Sequence, residues 1–306
     1  MIMGVIFEQL LAQILPDSSI YYNEPMKRHT TFRVGGPADY FVEPENSKQI
    51  VELLSIANEC HVPYIILGNG SNVLVSDKGY PGMVIHISAK MNQIMISGNK
   101  MVVGAGARMS TVGKTACEKG LAGFAPLTGI PGTIGGAVMM NAGAYGGEMK
   151  DVLVSATVID REGNCFVLSK EELQLGYRTS VVAEKGYIVV EVELEFQKGD
   201  KETIQKQMDE WSIARKTKQP LEYPSAGSTF KRPEGYFAGK LIDEAGLRGY
   251  QVGGARVSEK HCGFVINYDQ ATAGDIYQLM QDVSKKVKEQ FGVALEPEVK
   301  LIGDFS

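Results

Sequence analysis

Hydrophobic residues along this chain recur with two different periods. In the opening MIMGVIFEQLLAQIL, Phe7, Leu10, Leu11, Ile14 and Leu15 fall at helical spacing, which predicts a packed amphipathic helix. Short apolar runs punctuated by glycine follow in ADYFVEP, VPYIILGNGSNVLV, GMVIHI and QIMISGNKMVVGAGA, and read as strands. Gly98-Asn99 between two apolar segments is a hairpin signal, and Arg161-Glu162-Gly163-Asn164 plays the same part between VLVSATVID and CFVLS. Such meanders predict antiparallel pairing. Helical spacing returns at 111–119 and again near 201–218, where Ile204, Met208 and Trp211 share a face and a helix bridging two domains is expected. The loop QPLEYPSAGS precedes a helix carrying Phe237, Leu241, Ile242 and Ala245, then the strands VGGARVS and GFVINY. A last helix opens with the capping-box pattern Thr272-Ala-Gly-Asp275, buries Ile276, Met280, Val283 and Val287, and stops at Gly292. Strands in runs with grouped helices predict an α+β architecture over a doubly wound parallel sheet.

At 306 residues the chain exceeds a comfortable single core, so two domains are expected. Hydrophobic residues make up 44% and charged residues 22%, with a net charge of −5; a basic nucleic-acid footprint is excluded. The first segment has no Lys or Arg to open a signal peptide, and no apolar run reaches membrane-spanning length. Cys60, Cys117, Cys165 and Cys262 lie far apart without a CxxC pair, which argues against zinc and disulfides and for reduced thiols in cytoplasm. His29, His61, His86 and His261 show no ligand spacing, so no metal is expected.

Two glycine-rich loops are the main candidates for a ligand. Gly68-Asn69-Gly70-Ser71-Asn72 follows the strand YIIL, and its N–H groups can converge on an anion; a β-turn is an equally good reading of that spacing. The stretch 129–147, GIPGTIGGAVMMNAGAYGG, is poor in side chains and offers one amide, Asn141. Close helix–strand packing is the alternative, but two such loops favour a large ligand with a pyrophosphate. Neither G-x-G-x-x-G nor a Walker A pattern is present, because Arg108 stands where the first glycine before Gly113-Lys114-Thr115 belongs. Arg178 in LGYRTS suits a carboxylate through its bidentate fork, with an exposed structural arginine as the alternative. Ser228 in SAGSTFKRP could present a hydroxyl for proton transfer or merely cap a loop, and no G-x-S-x-G elbow surrounds it. Glu296 and Glu298 flank Pro297; the i and i+2 positions of an extended segment share a face, and surface carboxylates are the plain reading.

TTFRVGGPADYFVEP, ILGNGSNVLVSD, GIPGTIGGAVMMNAGAYGGE, GYRTS, YPSAGSTFKRP, AGKLIDEAGLRG, GGARVSEKHCGFVIN and LEPEVKLIG, in this order and spacing, resemble the UDP-N-acetylenolpyruvoylglucosamine reductase family from about Arg28 to Gly303. The resemblance implies a two-lobed FAD-binding domain of the vanillyl-alcohol-oxidase type over residues 1–205, with lobes of about 1–82 and 83–205. A smaller α+β substrate-binding domain over 206–306 is implied as well. It implies non-covalent FAD, with Gly68, Asn69, Gly70, Ser71 and Asn72 at the pyrophosphate. Gly129, Ile130, Pro131, Gly132, Gly135, Gly136, Asn141 and Ala142 would run beside ring and ribityl chain. Arg178, Ser228 and Glu298 match the catalytic residues, and Tyr177, Lys231 and Arg232 are expected as substrate contacts. Three departures stand out: Lys300 replaces the usual Arg after PEV, Ala125-Pro126-Leu127 replaces the commoner Leu-Glu-Phe, and Val181-Val182 follows RTS without a lid insertion. In the last respect the chain resembles the lidless subgroup.

The implied reaction saturates the enol ether of UDP-N-acetylglucosamine-enolpyruvate to give UDP-N-acetylmuramate for peptidoglycan, with NADPH as reductant and the protein as a monomer. Ser228 would give the proton, while Arg178 and Glu298 would stabilise the enolate-like charge. A flavin oxidase of the same fold class and a nucleotide-sugar binding module without redox chemistry are the other readings kept open.

Overall fold

A computed structural model describes residues 2–306, with the side chains of residues 2 and 3 left out. The chain forms two compact units, each assembled from separated segments. One holds the segment ending at Tyr22, Tyr40–Asn69 and Gly82–Ile213; the other holds Asn23–Asp39, Gly70–Pro81 and Ala214–Ser306. Two early stretches of the chain therefore cluster with its C-terminal part.

The first unit is built on a five-stranded antiparallel sheet in the order Cys165–Ser169, Leu153–Ile159, Ile188–Glu195, Lys100–Gly104, Ile94–Ser97. Both predicted hairpins are there. Ser97 pairs with Lys100 across a turn in which Gly98 has φ 62°, and Ile159 pairs with Cys165. Met101, Val103, Ala156, Val158, Val192 and Leu194 form the buried face, and the short helix Ile134–Met139 packs on the strand Ile188–Glu195. A helix over Ser47–Glu59, absent from the sequence reading, buries Ile50, Leu53, Leu54 and Ala57. Its start was legible: the Asn46 side chain accepts from Gln49 N, and the buried positions keep a 3.6-residue period. Antiparallel pairing is not universal here, since Tyr64–Leu67 runs parallel to Tyr80–His86. Parallel strands need a long crossover, and Leu67 is separated from Tyr80 by the Gly68–Asn72 loop and the strand beyond it.

In the second unit that following strand, Val73–Val75, pairs in parallel with Lys300–Ile302. The loop therefore does not close a hairpin. VGGARVS, expected as one strand, is itself a hairpin: Gly253 (φ 51°) and Gly254 turn Gln251–Val252 back onto Ala255–Val257, and Val265–Asn267 completes the sheet. Gly254 could not carry a side chain, since a Cβ would lie 2.1 Å from the Asp269 carbonyl. The helix Ala273–Phe291 buries Ile276, Leu279, Met280, Val283 and Val287 and ends on Gly292 at φ 70°. Thr272 Oγ1 accepts from Asp275 N at 3.0 Å and Asp275 Oδ2 accepts from Thr272 N at 2.9 Å, the reciprocal cap expected from the sequence. Asp77 adds two more bonds, accepting from Ala273 N and Gly274 N at 2.9 Å each, which ties the helix start to the strand Val73–Val75.

The helix Lys201–Lys218 has the bounds read from the sequence, with Ile204 buried and Trp211 half-buried. The division between the units, at Ile213/Ala214, falls inside it. Among the described residues no helix is long and apolar enough to cross a membrane.

Candidate active site

Arg178 sits in a tight turn of the first unit. Gly176 and Thr179 bridge each other, with N–H···O distances of 3.2 and 3.5 Å, and Arg178 takes the left-handed conformation at φ 56°. Ser180 then starts the helix Val181–Lys185: its Oγ accepts from Ala183 N and donates to the Met139 carbonyl at 2.6 Å. The arginine is half-buried, with Cζ 5.1 Å from the centroid of the exposed Tyr177 ring.

Asn141 is 1% exposed, and its amide is engaged within the protein. Nδ2 donates to Glu148 Oε2 at 2.9 Å and to the Gly176 carbonyl at 3.0 Å, while Oδ1 accepts from Lys150 N at 3.0 Å. Glu148, which sequence reading did not single out, also pairs with Lys150 Nζ at 2.7 Å. Its carboxyl lies below the usual range, chiefly through the Lys150 hydrogen bond. Desolvation opposes the shift; the Asn141 bond and the Lys150 and Arg178 charges assist it.

Ser228 and Glu298 belong to the second unit. The segment 228–231 runs beside 296–298: Phe230 bridges Pro297, Lys231 N donates to the Glu296 carbonyl and Glu298 N donates to the Thr229 carbonyl, both at 2.8 Å. Thr229 is fully buried, donating its N–H to the Gly263 carbonyl and accepting at Oγ1 from Val265 N. Ser228, its neighbour, is exposed. The two glutamates of EPE end in different surroundings. Glu296 is exposed and pairs with Lys231, whereas Glu298 is 7% exposed. Asn72, expected at a phosphate, clamps this segment: its Nδ2 donates to the Glu298 carbonyl at 3.1 Å, and its own carbonyl accepts from Lys300 N at 2.9 Å. Only a distant strand pairing brings these residues together, so no local signal announced it. Arg232 is exposed, with Cζ 4.6 Å from the Phe237 ring centroid.

The glycine-rich stretch divides by environment. Gly129, Pro131 and Gly136 are exposed, Ile130, Gly132 and Gly135 half-buried, and Ala142 buried. A Cβ on Gly135 would lie 3.0 Å from Ala105 Cβ, whereas on Gly136 it would meet only Thr133 Oγ1, at 3.6 Å. No charged side chain occurs between 129 and 147. This uncharged strip of accessible backbone, with space over Gly136, fits a flat neutral ring system of the kind a flavin carries. A cleft of about 620 Å³ in the second unit, lined by Lys27, Arg33, Tyr223, Asn267 and Tyr268 among others, contains none of the expected site residues.

Residues 219–302 match the family model of the UDP-N-acetylenolpyruvoylglucosamine reductase C-terminal domain, and residues 38–169 match that of an FAD binding domain. A UDP-N-acetylenolpyruvoylglucosamine reductase of Agathobacter rectalis is 50% identical, covering 99% of this chain and all of the relative. One from Clostridium perfringens is 52% identical over 97% of each chain. The crystal structure of UDP-N-acetylenolpyruvylglucosamine reductase from Thermus caldophilus superposes with a TM-score of 0.79 at 39% identity, covering 91% of this chain and 97% of that one. 4-Ethylphenol oxidase from Gulosibacter chungangensis shares the fold alone, with a TM-score of 0.50 at 13% identity over 64% of this chain and 43% of its own.

Proposed function

The chain belongs to the UDP-N-acetylenolpyruvoylglucosamine reductase family, and from that premise we propose that it reduces UDP-N-acetylglucosamine-enolpyruvate to UDP-N-acetylmuramate, a step of peptidoglycan synthesis, using non-covalent FAD and NADPH. The observation that carries the reading is the pairing of 229–231 with 296–298, which joins the segment that follows an exposed serine to the segment that carries a buried glutamate. The assignment of 1–205 to FAD and 206–306 to substrate, the monomeric state and a cytoplasmic location belong to the same proposal.

The 68–72 loop and the strip from 129 to 142 hold the cofactor in this reading. When bound and reduced by NADPH, FAD supplies a hydride to one alkene carbon of the enol ether. Everything else falls to the chain. Addition of hydride leaves electron density on the carbon bearing the carboxylate, and the Arg178 guanidinium neutralises it. Glu298, when protonated, donates a hydrogen bond to the same enolate-like oxygen. Ser228 delivers the proton: a weak acid suffices where the receiving carbon is far more basic and the hydroxyl is already in place. Lys231, Arg232 and Tyr177 offer two cations and an aromatic face to the diphosphate and sugar of the substrate.

Ser228→Ala tests the assignment, because only one half-reaction needs the proton. Stopped-flow absorbance should show flavin bleaching by NADPH nearly unchanged and reoxidation by the enolpyruvyl substrate slowed by about 10² to 10⁴, the scale of a general acid. Equal damage to both halves would reduce Ser228 to a shaping role, and unchanged reoxidation would remove it from proton transfer.

A further inference from the structure

The amide of Asn141 joins three pieces of the first unit, one of them 35 residues away in sequence. One is the end of the 129–142 strip, another is the Glu148 carboxylate, and the third is the Gly176 carbonyl that opens the arginine turn. Both amide hydrogens are committed and Oδ1 holds Lys150 N, so the side chain has a single orientation. The turn it grips is strained. Arg178 has φ 56°, a region that residues with a Cβ seldom occupy, and one of the two bridging bonds of the turn is 3.5 Å long. Such conformations persist where surrounding contacts over-determine them. Asn141 supplies one tie at the start of the turn, and Ser180 on the Met139 carbonyl supplies another at its end. Both ties run to the same four-residue piece of the glycine-rich stretch, 139–142.

We infer that Asn141 is the positioning residue for Arg178: by bridging the Gly176 carbonyl and the Glu148 carboxylate it holds the arginine turn in its left-handed form, with the guanidinium set to receive a substrate carboxylate. The inference rests on the reading of Arg178 given above. It makes the backbone assigned to the cofactor and the turn assigned to the substrate one connected piece. It also gives a buried asparagine a role in affinity for substrate without contact to it.

The test uses flavin-loaded full-length protein and the enolpyruvyl substrate, titrated without NADPH and read as perturbation of flavin absorbance. Asn141→Asp keeps the shape but removes both donors and sets a carboxylate against two acceptors. The substrate Kd should rise about 10- to 100-fold, the factor that corresponds to a lost buried hydrogen bond. Glu148→Gln keeps an acceptor for Asn141 but removes the charge, and should raise Kd less. Arg178→Ala alone should weaken binding, and combining it with Asn141→Asp should weaken it no further, because the two act through one contact. Multiplying effects in the double variant would mean a general structural role and overturn the inference. Normal binding by Arg178→Ala would sink the reading of Arg178 itself, whereas impaired Arg178→Ala with normal Asn141→Asp would sink only the inference. If Asn141→Asp does not retain flavin, the same cycle run with Glu148→Gln decides: an unchanged Kd overturns the proposal, and a raised one that vanishes in the Arg178→Ala background supports it.

Discussion

Gly70 and Gly136 come from the two glycine-rich loops and look alike in sequence, yet the structure leaves no room for a side chain at the first and ample room at the second. At Gly70 φ is 61°, and a Cβ would lie 1.9 Å from the His29 carbonyl oxygen, so the protein's own backbone occupies the space. At Gly136, on the exposed face of the helix Ile134–Met139, a Cβ would meet only Thr133 Oγ1, at 3.6 Å. Its neighbour Gly135 is packed against Ala105, because successive residues of a helix point about 100° apart. Glycine density therefore covers two situations, one in which tertiary packing excludes a side chain and one in which the space over the backbone is open. The proposed cofactor contact at Gly136 depends on the second.

The comparison is broken most sharply at Gly70. Gly70→Val should abolish soluble folding or lower Tm by more than roughly 10 °C, since the side chain meets a fixed carbonyl as well as an unfavourable φ. A folded variant of normal Tm would show that the loop yields, and the packing half of the contrast would be lost. Gly136→Val should do the opposite. Valine is no worse than glycine in a helix, so thermal unfolding of the apoprotein should be unchanged within about 0.5 kcal/mol. Flavin Kd, from fluorescence titration, should rise at least about tenfold, equivalent to ~1.4 kcal/mol. Full occupancy at normal affinity would take Gly136 out of the cofactor site. Gly68 offers the finest distinction. A Cβ there lies 2.6 Å from Thr133 Oγ1, and every other atom near it is at least 3.8 Å away. Gly68→Ala should cost about 1–3 kcal/mol of stability by overpacking. Adding Thr133→Ala should recover most of that, because it removes the one offending oxygen and Thr133 makes no side-chain cap bond to lose. Chemical denaturation of the single and double variants measures the coupling. Additive losses would place the obstruction elsewhere in the loop.

Much of the fold was legible because its signals are local. The Gly98-Asn99 hairpin, the bounds of the helix Lys201–Lys218 and the capping box at Thr272–Asp275 each depend on residues within a few positions of one another. The helix Ser47–Glu59 carries the same kind of signal and was simply passed over. The family motifs likewise identified Arg178, Ser228 and Glu298 as candidates. What they could not convey was how these side chains are held. Asn141 and Asn72 read as amides offered to a ligand, and the structure shows both holding protein backbone, at Gly176 and at Glu298. The second link spans 226 residues.

By itself the sequence determined most of the segments that become helices and hairpins, which stretches stay free of charge, and which residues are candidates for chemistry. Each of those follows from side-chain type and from spacing within a turn or two of chain. Only the tertiary structure decided that Tyr64–Leu67 and Val73–Val75 take parallel partners, that Glu298 is buried while Glu296 is not, and which glycines make room for the protein and which for something else. Those outcomes depend on where a backbone carbonyl or a buried donor from a remote segment arrives, and residue spacing along one chain does not encode that position.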